Sequence, residues 1–153
     1  MNDHDRPLNK RGKRACRLMG AFLTEQGLIP DKIICSTAAR ARQTVEGLLE
    51  TLQAVSEVDF SRELYHADVV TMLEHFQPLS DGIEVVMLVG HNPGMEDLAD
   101  RLVGSGARKA IARLAVKYPT GALAVIHFKE DSWADLAEGS GKLARFMRPK
   151  DLD

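Results

Sequence analysis

The chain has 153 residues, 44% of them hydrophobic and 27% charged, and 20 basic against 22 acidic side chains leave a net charge of −2. That length and composition fit one globular domain, residues 1–153, with a real core. They exclude a chain-wide basic field for nucleic acid, and no apolar run approaches a membrane span. Cys16 and Cys35, beside apolar Ala15 and Ile34, read as buried free thiols of a reducing compartment, which makes a cytoplasmic location the expectation.

Met1 to Leu8 is polar and reads as a loop. Asn9 is placed to cap a helix whose apolar face carries Ala15, Leu18, Met19 and Phe22, with Gly27 as its stop. Lys10, Arg11, Lys13 and Arg14 crowd its first turns, against the helix dipole. They form either a solvated face or a basic rim for an anionic partner. Pro30 and Asp31 then turn the chain into a short buried strand, Ile33 to Cys35. Ser36 and Thr37 end that strand and can cap the next helix, striped by Ala41, Val45, Leu48, Leu49 and Leu52. Arg40 and Arg42 lie in or near its first turn, where positive charge is disfavoured. An anion bound there would reverse that cost, because helix N–H groups and a guanidinium fork can share phosphate oxygens.

Val58 to Phe60 and Leu64 to Tyr65 read as short extended pieces. Val69, Leu73 and Phe76 stripe a helix that Pro78 ends, and His66 and His75 read as surface residues. The centre of the chain is Glu84 to Leu98. Val85 to Val89 is an unbroken apolar run, which suits a strand buried on both faces. Gly90 turns the chain, and Pro93 opens a helix carrying Met95, Leu98, Ala99 and Leu102. His91 and Asn92 therefore stand at the carboxyl end of a strand, where open α/β sheets bind ligands. Against this, a lone histidine in a loop is more often a solvated or hydrogen-bonded side chain.

Two glycine-rich stretches imitate nucleotide motifs and fail. Gly104 and Gly106 follow a helix and lack a third glycine. Gly139-Ser140-Gly141-Lys142 lacks the earlier glycine of a P-loop, and Leu143 replaces the hydroxyl residue that would meet magnesium. Ala122 to Phe128 is another apolar strand. Trp133 to Leu136 and Leu143 to Met147 read as a hairpin, and Pro149 to Asp153 as a polar tail. Helices alternating with apolar strands predict an α/β sandwich with a mainly parallel central sheet, helices on both faces and antiparallel pairing at one side. If the strands ending at Ser36 and His91 run parallel, Arg40 and His91 face one crevice.

Four stretches together resemble the histidine phosphatase superfamily, most closely its small SixA-type phosphohistidine phosphatases. Cys35 to Thr44, Cys-Ser-Thr-Ala-Ala-Arg-Ala-Arg-Gln-Thr, resembles the family's Ser-Pro-x-x-Arg-Ala-x-Gln-Thr motif, with Thr37 in place of proline. Val89 to Gly94, Val-Gly-His-Asn-Pro-Gly, resembles its second histidine motif, and Tyr118 to Val125 its late strand. Asp3 to Gly12 is similar to the segment that follows the family's first strand. The resemblance implies a three-layer, phosphoglycerate-mutase-like fold. It implies Arg40 as a clamp on phosphoryl oxygens, His91 as a hydrogen-bonding partner to them, and Asn92 at the substrate. No metal or cofactor is expected, because cationic side chains supply the charge.

The departure is the family's Arg-His pair, whose histidine is the nucleophile. No such pair occurs in the chain, and the first strand that carries it is missing. His4 follows Asp3 rather than arginine, with no apolar strand leading into it, so no nucleophile is assigned. A start lying upstream of Met1 is the expectation. The resemblance then implies removal of phosphate from a protein phosphohistidine, or a small phosphomonoester, through a phosphohistidine intermediate. A phosphorylated partner, such as a histidine-containing phosphotransfer domain, is the expected substrate. The alternative is a catalytically dead pseudophosphatase that binds phosphate or a phosphoprotein.

Overall fold

A computed structural model of the chain describes residues 1–53 and 57–153. Among these described residues, six strands and five α-helices follow in the order α1 (Lys10–Glu25), β1 (Lys32–Ser36), α2 (Ala39–Leu49), β2 (Glu57–Ser61), α3 (Val69–Phe76), β3 (Val86–Val89), α4 (Gly94–Leu102), β4 (Val103–Gly106), α5 (Arg108–Val116), β5 (Leu123–His127) and β6 (Gly141–Met147). One sheet runs β2-β1-β3, all parallel, and a second runs β4-β6-β5, parallel and then antiparallel. Among the described residues no strand precedes α1. Among the described residues no helix is long and apolar enough to cross a membrane.

The alternation of side chains along the strands builds the layers. Ile33 and Cys35 of β1, with Met87 and Val89 of β3, face Ala41 and Val45 of α2. Ile34, Val86 and Leu88 point the other way, onto Val69, Met72 and Phe76 of α3 and Leu98 and Leu102 of α4. Met19 and Leu23 of α1 pack on Leu48 and Leu52 beside α2. Helices therefore cover both faces of the parallel β2-β1-β3 sheet. Ile33 and Cys35 are fully buried, and burying an aliphatic side chain such as that of Ile33 contributes about 1.5–3 kcal/mol.

Local signals explain most element ends. The Asn9 side chain accepts from the Gly12 N–H at 2.8 Å and caps α1, and Gly27 leaves the helix at φ +68°. Asp68 caps α3 in the same way, accepting from Thr71 N–H.

Several expectations are corrected. Val85 to Val89 is not fully buried: Val85 is 42% exposed, and Val86–Val89 are only half-buried although helices lie on both their faces, with β3 pairing on one edge alone among the described residues. Leu49 stands 38% exposed rather than on the apolar stripe of α2. Leu64 belongs to a 3-10 turn, Arg62–Leu64, and not to an extended piece. The hairpin also lies elsewhere. Trp133–Asp135 is a 3-10 turn whose indole N–H donates to the Ile83 carbonyl, and β6 takes β5 as its antiparallel partner. The polar tail is not loose, since Pro149–Asp151 forms a turn closed by the Arg148–Asp151 ion pair.

Candidate functional site

Parallel pairing sets the site. Because β1 pairs with both β2 and β3 in parallel, the chain leaves all three strands on one side of the sheet. Ser36 ends β1, Ser61 ends β2, and His91 follows β3. Arg40 rises from the first turn of α2, so it overlooks the same edge. Arg40 and His91 are thus presented from the same ends of neighbouring parallel strands.

Ser36 is fully buried, and its Oγ lies 2.8 Å from His91 Nε2 while accepting from the Ala38 N–H at 3.2 Å. Neither Ser36 nor Thr37 caps α2 through its side chain, as the sequence suggests they could. Ala38 takes the N-cap position, and Thr37 Oγ1 instead lies 2.9 Å from His4 Nε2. The hydroxyls at this strand end serve histidines.

The 3-10 turn after β2 brings Tyr65 and His66 to the same place. The Tyr65 ring is 5.5 Å from His91 and 4.1 Å from His66, and the Arg40 guanidinium lies 6.0 Å from its centroid. His66 adopts φ +58°, the left-handed region that a non-glycine residue enters only at a cost. It reads as a surface residue in the sequence and is indeed 61% exposed, but it borders the site, 6.3 Å from His91. Nothing local in the sequence announces either residue. The usable signal is topological: once β2 is known to run parallel to β1, whatever follows Ser61 must fall at the ligand-binding edge. His75, by contrast, is spent on Ser61 and the Thr71 carbonyl.

The donors converge on one carboxylate. Asp3 accepts from the Tyr65 hydroxyl at 2.5 Å and from Arg40 Nη2 at 3.2 Å, and its carbonyl accepts from Arg40 Nη1 at 2.9 Å. His66 Nε2 lies 3.7 Å from the same carboxylate. The Tyr65 hydrogen bond is the main cause holding the Asp3 carboxyl down to about 2. His91 moves in the opposite sense to a cation: burial, followed by the Arg40 charge, lowers it to about 4, so its imidazole is neutral at pH 7. A neutral imidazole beside a guanidinium and a phenol makes a site that accepts an anion without carrying a second full charge.

Asn92 lines the cleft beside His91 and is also tied to its neighbours. Its amide donates to the Tyr118 carbonyl at 2.7 Å, and its oxygen accepts from the Glu96 N–H at 3.2 Å. It braces the loop that presents His91. Glu63, beside Leu64, is exposed. Arg42 and the basic run Lys10, Arg11, Lys13 and Arg14 are likewise exposed, and Arg14 is paired with Asp153. A cleft of about 550 Å³ opens beside His66 and His91 and runs along α4 to Asp97 and Arg101. Cys16 and Cys35 are buried free thiols, and burial pushes Cys35 up to about 12, which makes it a poor nucleophile. Among the described residues no group of three histidine, cysteine or acidic side chains is placed to hold a metal.

Known proteins resemble the chain in family and in fold. The family model of the histidine phosphatase superfamily (branch 1) matches residues 2–129. An uncharacterised protein of Mycobacterium tuberculosis is 35% identical over 150 residues, covering 97% of this chain and 92% of its own length. An uncharacterised protein of Mycobacterium leprae is 34% identical over 149 residues, covering 97% and 89%. Among solved structures, a candidate phosphohistidine phosphatase SixA from Agrobacterium tumefaciens superposes with a TM-score of 0.78 at 30% identity, covering 97% of this chain and 87% of that one. The protein histidine phosphatase SixA complexed with tungstate gives 0.79 at 25% identity, covering 99% and 90%.

Proposed function

Because the chain belongs to the histidine phosphatase superfamily, branch 1, we propose that it binds a phosphoryl group between Arg40, Tyr65 and His91, in the manner of a pseudophosphatase. The preferred ligand is a phosphohistidine on a partner protein, and a small phosphomonoester is the lesser candidate. The observation that carries the reading is the seating of an anion, the Asp3 carboxylate, on Arg40 and Tyr65 beside His91. Phosphoryl oxygens present the same acceptor chemistry to a guanidinium fork. The likeness to a SixA structure holding tungstate, a tetrahedral oxyanion, supports the choice of ligand.

Hydrolysis of phosphohistidine through a phosphohistidine intermediate is the second reading, favoured by the SixA likeness. In-line attack needs an imidazole nitrogen free to meet phosphorus. His4 directs Nε2 to Thr37 and Nδ1 to Asp5 at 3.4 Å, and His91 directs Nε2 to Ser36. The sequence holds no Arg-His pair of the kind that carries the family's nucleophile, so binding is placed ahead of turnover.

Calorimetry with inorganic phosphate tests the first reading. Binding that Arg40→Ala abolishes is expected, and a folded chain with no detectable phosphate binding would remove the proposal. Incubation with phosphoramidate followed by intact mass tests the second. An acid-labile phosphoryl adduct would install the enzyme reading in place of the binding one.

A further inference from the structure

We infer that Asp3 is an intramolecular competitor for the phosphoryl site, seated on the Arg40 and Tyr65 donors that a phosphoryl group would use, so that the ligand must displace it. The inference rests on the reading of that site as phosphoryl-binding and adds a regulation to it.

The geometry rules out joint use of the Tyr65 hydroxyl. Arg40 gives Nη2 to the Asp3 carboxylate and Nη1 to the Asp3 carbonyl. The single Tyr65 hydroxyl proton goes to Asp3 Oδ2. A hydroxyl donates one hydrogen bond only, so Asp3 and a phosphoryl oxygen cannot both hold Tyr65. Arg6 Nη2, at 2.9 Å from Oδ1, adds a further cation to the same carboxylate.

The segment is built to keep Asp3 near the site. It lies in a 3-10 turn, Asp3–Asp5, whose cap Asn2 accepts from the Asp5 N–H at 3.1 Å. His4 holds Thr37 at the end of β1, and the Leu8 N–H donates to Gln43 Oε1 on α2 at 2.7 Å. These anchors do not involve the Asp3 carboxylate. The Asp3 side chain can swing out while the turn stays attached, and its 44% exposure means that solvent already reaches it. Tethering at two points gives the carboxylate a high effective concentration, which a free acetate ion would lack.

Competition of this kind lowers the apparent affinity by the fraction of time that the site is open. A site open about one-tenth of the time binds about tenfold more weakly than its intrinsic limit. The test is the dissociation constant for inorganic phosphate, by calorimetry on the full chain, for the native protein, Asp3→Asn and Asp5→Asn. Asp5 shares the turn but contacts His4, not Arg40. It therefore controls for the general field of one lost negative charge. Asp3→Asn is expected to bind phosphate about tenfold more tightly and Asp5→Asn less than about twofold. In a Tyr65→Phe background, the gain from Asp3→Asn should shrink, because the seat is incomplete.

Equal affinity in the native chain and Asp3→Asn overturns the competitor while leaving the phosphoryl site standing. An equal gain from both carboxylate variants also overturns it, since the effect would then be long-range charge. Absence of phosphate binding in all three proteins overturns the phosphoryl reading itself, and the competitor with it.

Discussion

Ser36 Oγ stands 2.8 Å from His91 Nε2 and ties the carboxyl end of β1 to that of β3. The orientation of the site histidine is therefore set by a fully buried hydroxyl on a different strand. Ser36→Ala removes the partner of His91 and of the Ala38 N–H together. Leaving such groups unsatisfied costs about 1–3 kcal/mol. A urea melt of Ser36→Ala should show that loss, and phosphate binding should weaken several-fold because the imidazole is no longer held.

Arg40 works through two nitrogens at once, which a lysine cannot reproduce. Arg40→Lys should therefore bind phosphate nearly as poorly as Arg40→Ala in calorimetry. Full rescue by lysine would show that only a point charge is needed, and the fork geometry would lose its role.

The pH dependence of stability should show two separate limbs. His91 is held below its ordinary value of 6.5, at about 4, chiefly by burial. Between those values the unfolded chain binds a proton that the folded chain refuses, so stability falls as pH drops through that window. Asp3 acts lower: held to about 2 against an ordinary 3.8, it contributes stability above 3.8 that is lost as pH falls toward 2. Urea midpoints collected across this range should fall in both windows. His91→Gln should flatten the upper limb and leave the lower one.

Gly94 opens α4 directly against Ala67, the residue after His66. A Cβ at this position would lie 2.5 Å from the Ala67 carbonyl oxygen, a backbone atom that cannot rotate away. Gly94→Ala should cost about 1–3 kcal/mol of stability. It should also push His66 and His91 apart, so phosphate binding in the folded variant should fall. An unchanged thermal midpoint would show that the two segments separate freely.

Much of the site was legible because its signals are local. Arg40 is an arginine against the dipole at a helix start, and His91 follows an apolar run and a glycine. Either residue can be found in a window of ten. The burial of β3 was misread for a reason of the same kind. An apolar run reports what a strand can bury, but pairing on the second edge depends on residues far away in the sequence, and among the described residues β3 pairs only with β1. The hairpin was misplaced because Trp133 to Leu136 has strand-like composition, whereas the indole N–H is taken by Ile83 across the fold.

The sequence by itself determined the alternation of helices and strands, the caps at Asn9 and Gly27, and the candidacy of Arg40 and His91, since each rests on neighbours within a few residues. Only the tertiary structure decided which side chains share the site. Asp3 and Tyr65 are 62 positions apart and meet through a hydrogen bond. Their meeting depends on β2 lying parallel to β1 and on His4 and Leu8 fastening the first turn to Thr37 and Gln43. No local pattern encodes contacts of that range, because they are fixed by sheet register and helix packing.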